Sequence, residues 1–267
     1  MSQPTSNHFL ARLAPTDRAL IEPYLEPVEL RPGTLLHQRG QPVNHVVFPL
    51  SGLVSIAVPM RRSGPVECAV VGREGIIGAC VGSGIRSAID DAIVQIGGTA
   101  MQISLDHFRH ALDQSSNIRQ LSARCDAMLM VQSHQSAACN AVHTAEARMS
   151  RWLLEFCDRS DNDKFPFTQE FLAMMLGVRR TTVTLIAGTL QNAGAIRWRR
   201  GRVQILDRTI LEASVCECYA RVRQCADELL NEASVALHVY PEPIHTDVIA
   251  TEPFGDQKHD HLAPLGR

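Results

Sequence analysis

Residues 168–190 read TQEFLAMMLGVRRTTVTLIAGTL, and this stretch decides the fold. Thr168 suits a helix N-cap, because its hydroxyl can accept from the free amides of a first turn. Phe171, Leu172, Met175 and Leu176 recur at helical spacing and give one apolar face. Gly177 follows the last of them, where a helix commonly ends on a left-handed residue. Ala173 is small where two steeply crossing helices approach, and Val183, Ile186 and Leu190 supply the buried face of a second helix. That second helix opens on Arg179, Arg180, Thr181 and Thr182, a set of hydrogen-bonding groups that no core requires. The spacing is that of a helix-turn-helix, whose second helix enters a DNA major groove. Taken alone, it fits an ordinary helical hairpin equally well.

The following segment tips the balance. Residues 196–206, IRWRRGRVQIL, alternate β-prone Ile196, Trp198, Val203 and Ile205 with Arg197, Arg199, Arg200 and Arg202 around Gly201. A hairpin wing with arginines at its tip suits phosphate contact beside the groove. From Lys164 to Arg208 there are eight basic residues and two acidic ones, a local net of +6 in a chain whose total is −2. Such a concentration is the electrostatic footprint of a nucleic-acid surface.

The remainder of the 267 residues provides room for a second domain. Hydrophobic content of 45% and charged content of 20% are globular values. With no long apolar run and no basic-then-apolar start, the expectation is a cytoplasmic chain without membrane contact. Residues 7–25 read as two helical pieces split at Pro15. From Val28 to Ile103, short β-prone runs such as HVVFPL (45–50), GLVSIAVPM (52–60) and DAIVQIGG (91–98) are separated by glycine and proline turns. That is the rhythm of a compact all-β roll. Helix returns at Ser104, and a long helix is expected over 116–139. Its Ile118, Leu121, Cys125 and Met128, spaced by three and four, form a plausible dimer seam; packing on the chain's own β domain is the competing reading. Helix is expected again over 141–156 and as one piece from Thr209 to Leu237, with a disordered tail beyond.

These parts, in this order, resemble the Crp/Fnr family of bacterial transcription regulators over residues 15–235. The resemblance is carried by PGTLLHQRGQPVNHVVFPLSGLVSIAV (32–58), VVGREGIIGACVG (70–82) and the ungapped TQEFLAMMLGVRRTTVTLIAGTLQNAGAI (168–196). It implies an α+β chain: an antiparallel β-roll sensor (1–115), a dimerisation helix (116–140), a winged helix-turn-helix (141–237) and a tail (238–267). The implied function is sequence-specific DNA binding by a homodimer on a two-fold operator, modulated by an effector at the roll, with RNA polymerase a further partner. Arg180 falls where family members commonly place an arginine that reads guanine. Arg179, Thr181, Thr182 and Thr184 could add base or backbone contacts, and Arg199, Arg200 and Arg202 phosphate contacts. Thr181 stands where the family often has glutamate, and Leu185 where it often has a second arginine, so the operator differs from the familiar one.

In the sensor, Gly78, Ala79, Arg86 and Ser87 fall at the family's effector cassette. Ala79 replaces the glutamate that holds a ribose hydroxyl, so cyclic AMP does not fit and the effector is unknown. The first cysteine is Cys68, so the N-terminal cluster of the iron–sulfur branch is missing. Two cysteine patterns stand out. Cys216 and Cys218, on a single helix, would diverge by about 200° and could not share a metal, so no metal is expected. Cys125 and Cys139 could meet their symmetry mates and sense oxidants, provided their thiols are accessible and acidic. No nucleophile elbow or phosphate loop is present, which argues against an enzyme. The alternative function is a ligand or redox sensor acting through a protein partner, with a vestigial DNA surface.

Overall fold

The computed structural model describes residues 7–61, 64–80, 84–160 and 163–230. Two short helices lead, α1 (His8–Ala11) and α2 (Pro15–Ile21), with Pro15 at the first helical position, where a missing amide costs nothing. Seven strands follow: β1 (Glu26–Leu30), β2 (Leu35–His37), β3 (His45–Pro49), β4 (Leu53–Met60), β5 (Gly64–Val71), β6 (Asp91–Ile96) and β7 (Gly98–Ser104). They form two antiparallel sheets, ordered β1-β7-β3 and β2-β6-β4-β5. Inward residues from both sheets, among them Leu30, Val47, Val54, Ile56, Val71 and Val94, share one core, so the pair is a β-roll. A second cluster seals its end, with Phe9, Phe48 and Phe108 in mutual ring contact.

Helix α3 (Leu105–Gln114) is capped by Ser104, and α4 (Ser116–Val142) by Ser115. The chain then turns at His143–Thr144, and Thr144 caps α5 (Ala145–Arg159). The DNA-binding part adds β8 (Lys164–Phe165), α6 (Gln169–Leu176), α7 (Arg180–Asn192), β9 (Ile196–Arg199) and β10 (Arg202–Ile205), with the strands ordered β8-β10-β9. Its core gathers Trp152, Phe156, Phe165, Phe167 and Phe171 into one stack of rings together with the apolar faces of α6 and α7. Two short helices end the described chain, α8 (Arg208–Ser214) and α9 (Cys218–Leu230). The single helix expected from Thr209 is therefore broken at Val215–Glu217, where Val215 is extended (φ −85°, ψ 152°). The expected tail lies outside the described residues.

The two halves meet along β5. Leu53 and Val70 of the roll belong to the same apolar cluster as Trp152 and Leu176. The Val70 amide donates to Gln132 Oε1 on α4 at 3.1 Å. Arg159, at the end of α5, reaches back to Glu74 at 2.6 Å in an ion pair largely shielded from solvent. Among the described residues no single helix is long and apolar enough to cross a membrane.

Candidate DNA-binding surface and sensor pocket

The turn between α6 and α7 is built locally. The Thr168 hydroxyl accepts from the Phe171 amide at 3.1 Å, a cap worth about 1 kcal/mol. At the other end Gly177 adopts φ 63°, ψ 35°, and the Val178 amide closes onto the Ala173 carbonyl at 2.9 Å. A side chain in that backbone region costs roughly 1–2 kcal/mol. The two helix axes differ by 110°, within the range of a helix-turn-helix. Leu172, Ala173, Leu176, Val183, Ile186, Ala187 and Leu190 fill the angle between them.

With those residues turned inward, α7 presents Arg179, Arg180, Thr181, Thr184 and Leu185 to solvent, and Thr182 is half-buried. Arg180 is held by an exposed ion pair, its Nε 2.8 Å from Glu170 Oε1 on α6. Thr184 donates to Gln169 Oε1 at 2.7 Å. Leu185 is 74% exposed, a position that sequence reasoning treated only as a departure from the family. Its place one turn after Thr181 was the available signal.

The wing is a two-residue hairpin in which Arg199 pairs with Arg202. Arg200 (φ 51°) and Gly201 (φ 71°) occupy its tip, the positive-φ pair of a type I′ turn. Arg199, Arg200 and Arg202 all point into solvent. The wing is fixed to the recognition helix by the Trp198 amide, which donates to Gln191 Oε1 at 2.8 Å. All eight residues proposed for DNA thus lie on this helix and wing. Glu170 is the acidic side chain set directly against them.

Residues 147–214 match the Crp-like helix-turn-helix domain. The whole fold is similar to solved structures of low sequence identity. FixK2 from Bradyrhizobium japonicum is 14% identical with a TM-score of 0.61, over 72% of this chain and 98% of that one. A Crp/Fnr-family transcriptional regulator from Thermus thermophilus is 20% identical with a TM-score of 0.58, over 73% and 98%. A Crp/Fnr-family protein from Eubacterium rectale is 17% identical with a TM-score of 0.58, over 76% and 95%. The chain thus carries a Crp-like helix-turn-helix domain within a fold like that of these Crp/Fnr-family structures. No curated protein matches it by sequence.

The roll holds a cavity between the β2-β6-β4-β5 sheet and α4, lined by His37, Gly78, Ala79, Asp90, Asp126 and Leu129 among others. Burial, and for Asp90 also the neighbouring Asp91, raises both carboxyls to about 6. His37 is lowered by burial, and its Nε2 lies 3.0 Å from the His45 carbonyl. Arg86 and Ser87, expected to join Gly78 and Ala79 here, do not. Arg86 lines a separate cleft with Asn44, Ser104 and Asp106, and Ser87 is tied by a bridge to Pro42. Backbone pairing of residues 86–88 with 40–43 carries the arginine away from the cavity. The four expected effector residues are therefore not one site.

The expected dimer seam is also displaced. Ile118, Leu121 and Cys125 pack into the roll's own apolar cluster, and Met128 is 2% exposed. A residue buried in its own subunit cannot contact another. The opposite face of α4 is free: Gln120, Ala123, Met130, His134, Ala137 and Ala141 are exposed and Ala127 half-buried. The redox reading of Cys125 and Cys139 fails on the same ground, since both are buried. Burial pushes the Cys125 thiol up to about 12.

Proposed function

We propose that the chain is a sequence-specific, homodimeric transcription regulator whose α7 helices read the two halves of a two-fold operator. The observation that carries this is the solvent face of α7, where Arg179, Arg180, Thr181 and Thr184 stand beside three wing arginines with no core role. Arg180 reads guanine through its planar fork, and Leu185 offers an apolar contact to a thymine methyl. Thr182 adds a backbone contact. The wing arginines neutralise phosphates, which positions the helix without specifying sequence.

Dimerisation falls to the outer face of α4, residues 120, 123, 127, 130, 134, 137 and 141. Their alternating steps of three and four make a coiled-coil seam. From Ala127 to Val142 there is no Asp, Glu, Lys or Arg, and a helix without a charged face is suited to burial on more than one side. The two α7 helices would then meet half-sites about 34 Å apart.

The sensor cavity is where an effector would act, since α4 forms one of its walls. Its described lining has two carboxyls and neither lysine nor arginine, a poor match for a phosphate and a better one for a neutral or cationic molecule. Selection of bound sites from a random DNA pool by the purified chain tests the reading. The expected result is an inverted repeat with half-site centres one helical turn apart. A pool that shows no enrichment overturns it and leaves a sensor acting through a protein partner.

A further inference from the structure

The break between α8 and α9 has a consequence for the cysteines. Because Cys216 lies in the extended link and Cys218 opens α9, their side chains do not diverge as they would on one helix. Both point toward the C-terminal end of α4, where Cys139 and His143 sit one turn apart on the same face. One donor atom from each of Cys139, His143, Cys216 and Cys218 lies within 4.8 Å of the others. The Sγ atoms of Cys139 and Cys216 are 3.6 Å apart, and Cys218 Sγ is 3.5 Å from His143 Nδ1. A disulfide would require about 2.05 Å. A tetrahedron with zinc–sulfur bonds of about 2.3 Å and a zinc–nitrogen bond of about 2.05 Å has edges of roughly 3.8 and 3.5 Å. The spacings fit the second geometry.

The surroundings point the same way. With Nδ1 turned to the cysteines, His143 Nε2 lies 3.2 Å from Glu217 Oε1. A carboxylate on the far nitrogen is the usual support for a metal-binding histidine, because it fixes the tautomer and raises the basicity of the ligating nitrogen. Gln135 Nε2 donates to Cys218 Sγ at 3.0 Å, which suits a sulfur carrying negative charge. The cluster is closed: the three cysteines are buried and His143 is half-buried. Four ligands with no open position are the signature of a structural site.

We propose that Cys139, His143, Cys216 and Cys218 bind one structural zinc ion. Two ligands come from the end of α4, one from the link between α8 and α9 and one from the start of α9, so the ion ties the turn at His143–Thr144 to the segment after the wing. It sets the angle of the helix-turn-helix domain to the long helix by a bond network rather than by packing alone. The metal reading is independent of which sequence the chain binds.

Metal analysis of the full-length protein is expected to find about one zinc per chain. Refilling the chelator-stripped protein with Co(II) should give tetrahedral d–d absorption with thiolate-to-cobalt charge transfer. Cys218→Ser and His143→Ala should lose the ion, while Cys68→Ser, remote from the cluster, should keep it. Glu217→Gln touches no sulfur and its side chain is 79% exposed, so the fold survives it; zinc affinity should fall by roughly 10-fold or more. Protein free of zinc that fails to take up Co(II) overturns the proposal. So does a Cys139–Cys216 disulfide in freshly purified chain, or unaltered zinc content in both Cys218→Ser and His143→Ala.

Discussion

Arg180 is a long side chain with two alternatives available to it. In the free chain it faces Glu170 at 2.8 Å with both groups mostly exposed, so the pair is worth little and leaves easily. Against guanine it makes two parallel hydrogen bonds. Arg180→Ala should therefore weaken binding to the selected operator by roughly 1–3 kcal/mol and relax one base position, as read by titration against single-base variants. An equal loss on random DNA would remove it from base readout. Arg200 carries the opposite expectation. It is held at the wing tip by a type I′ turn, and if it addresses phosphate as proposed, Arg200→Ala should weaken all sequences alike. The slope of log affinity against log salt should also shrink by about 1. A full slope in that variant would place the wing off the DNA. Residue types and spacing placed these arginines on the second helix and the wing tip, where both are exposed. Leu185 was read only as a departure from the family pattern, because its apolar side chain suggests burial and only its place one turn after Thr181 points to the exposed face.

At the scale of elements, legibility followed the period of the pattern. Helices α6 and α7 and the wing were readable because apolar positions, Gly177 and Gly201 all mark boundaries in the same places. The long helix was readable as a helix, but the residues expected to form a dimer seam are buried within the chain itself. Ile118, Leu121 and Cys125 pack into the roll's own apolar cluster, and Met128 is buried as well. The face left exposed carries Ala123, Ala127, Ala137 and Ala141 with Gln120, Met130 and His134, an uncharged stripe that composition alone disguises as surface. The break at Val215–Glu217 went unseen for a related reason: it has no glycine or proline, and Cys216 and Cys218 are apolar enough to continue a helical face. The free stripe predicts where association can be broken. In the proposed dimer, Ala123→Glu and Ala137→Glu, both on exposed positions, would place like charges across the two-fold axis. Sedimentation should report a monomer for the double variant, with an unchanged circular dichroism spectrum and loss of tight operator binding. A dimer of native affinity would move the interface elsewhere.

On the scale of the whole molecule, the β-roll and the helix-turn-helix domain share enclosed polar groups that no local pattern announces. Glu67 on β5 accepts from the Ser55 hydroxyl and faces Trp152, Arg151 and Glu155 of α5. Arg151 is already committed to Glu155 at 2.9 Å, so Glu67 lacks a cation of its own. Enclosure against α5, with the Glu155 charge adding to it, raises Glu67 from 4.5 to about 8. The folded chain thus holds a proton there that the unfolded chain releases near 4.5. Where the folded state binds more protons, stability falls as pH rises. The contribution of Glu67 is fully present below about 4.5 and is lost progressively as pH climbs to about 8, where the carboxylate forms at the seam between β5 and α5. Glu67→Gln keeps the shape and the hydrogen bond to Ser55 without a charge to bury. Denaturation midpoints of the native chain should therefore drop between neutral pH and about pH 8.5, whereas those of Glu67→Gln should drop less over the same interval. Equal declines in the two proteins would mean that the carboxyl is solvated, and that the contact between β5 and α5 is looser than this packing.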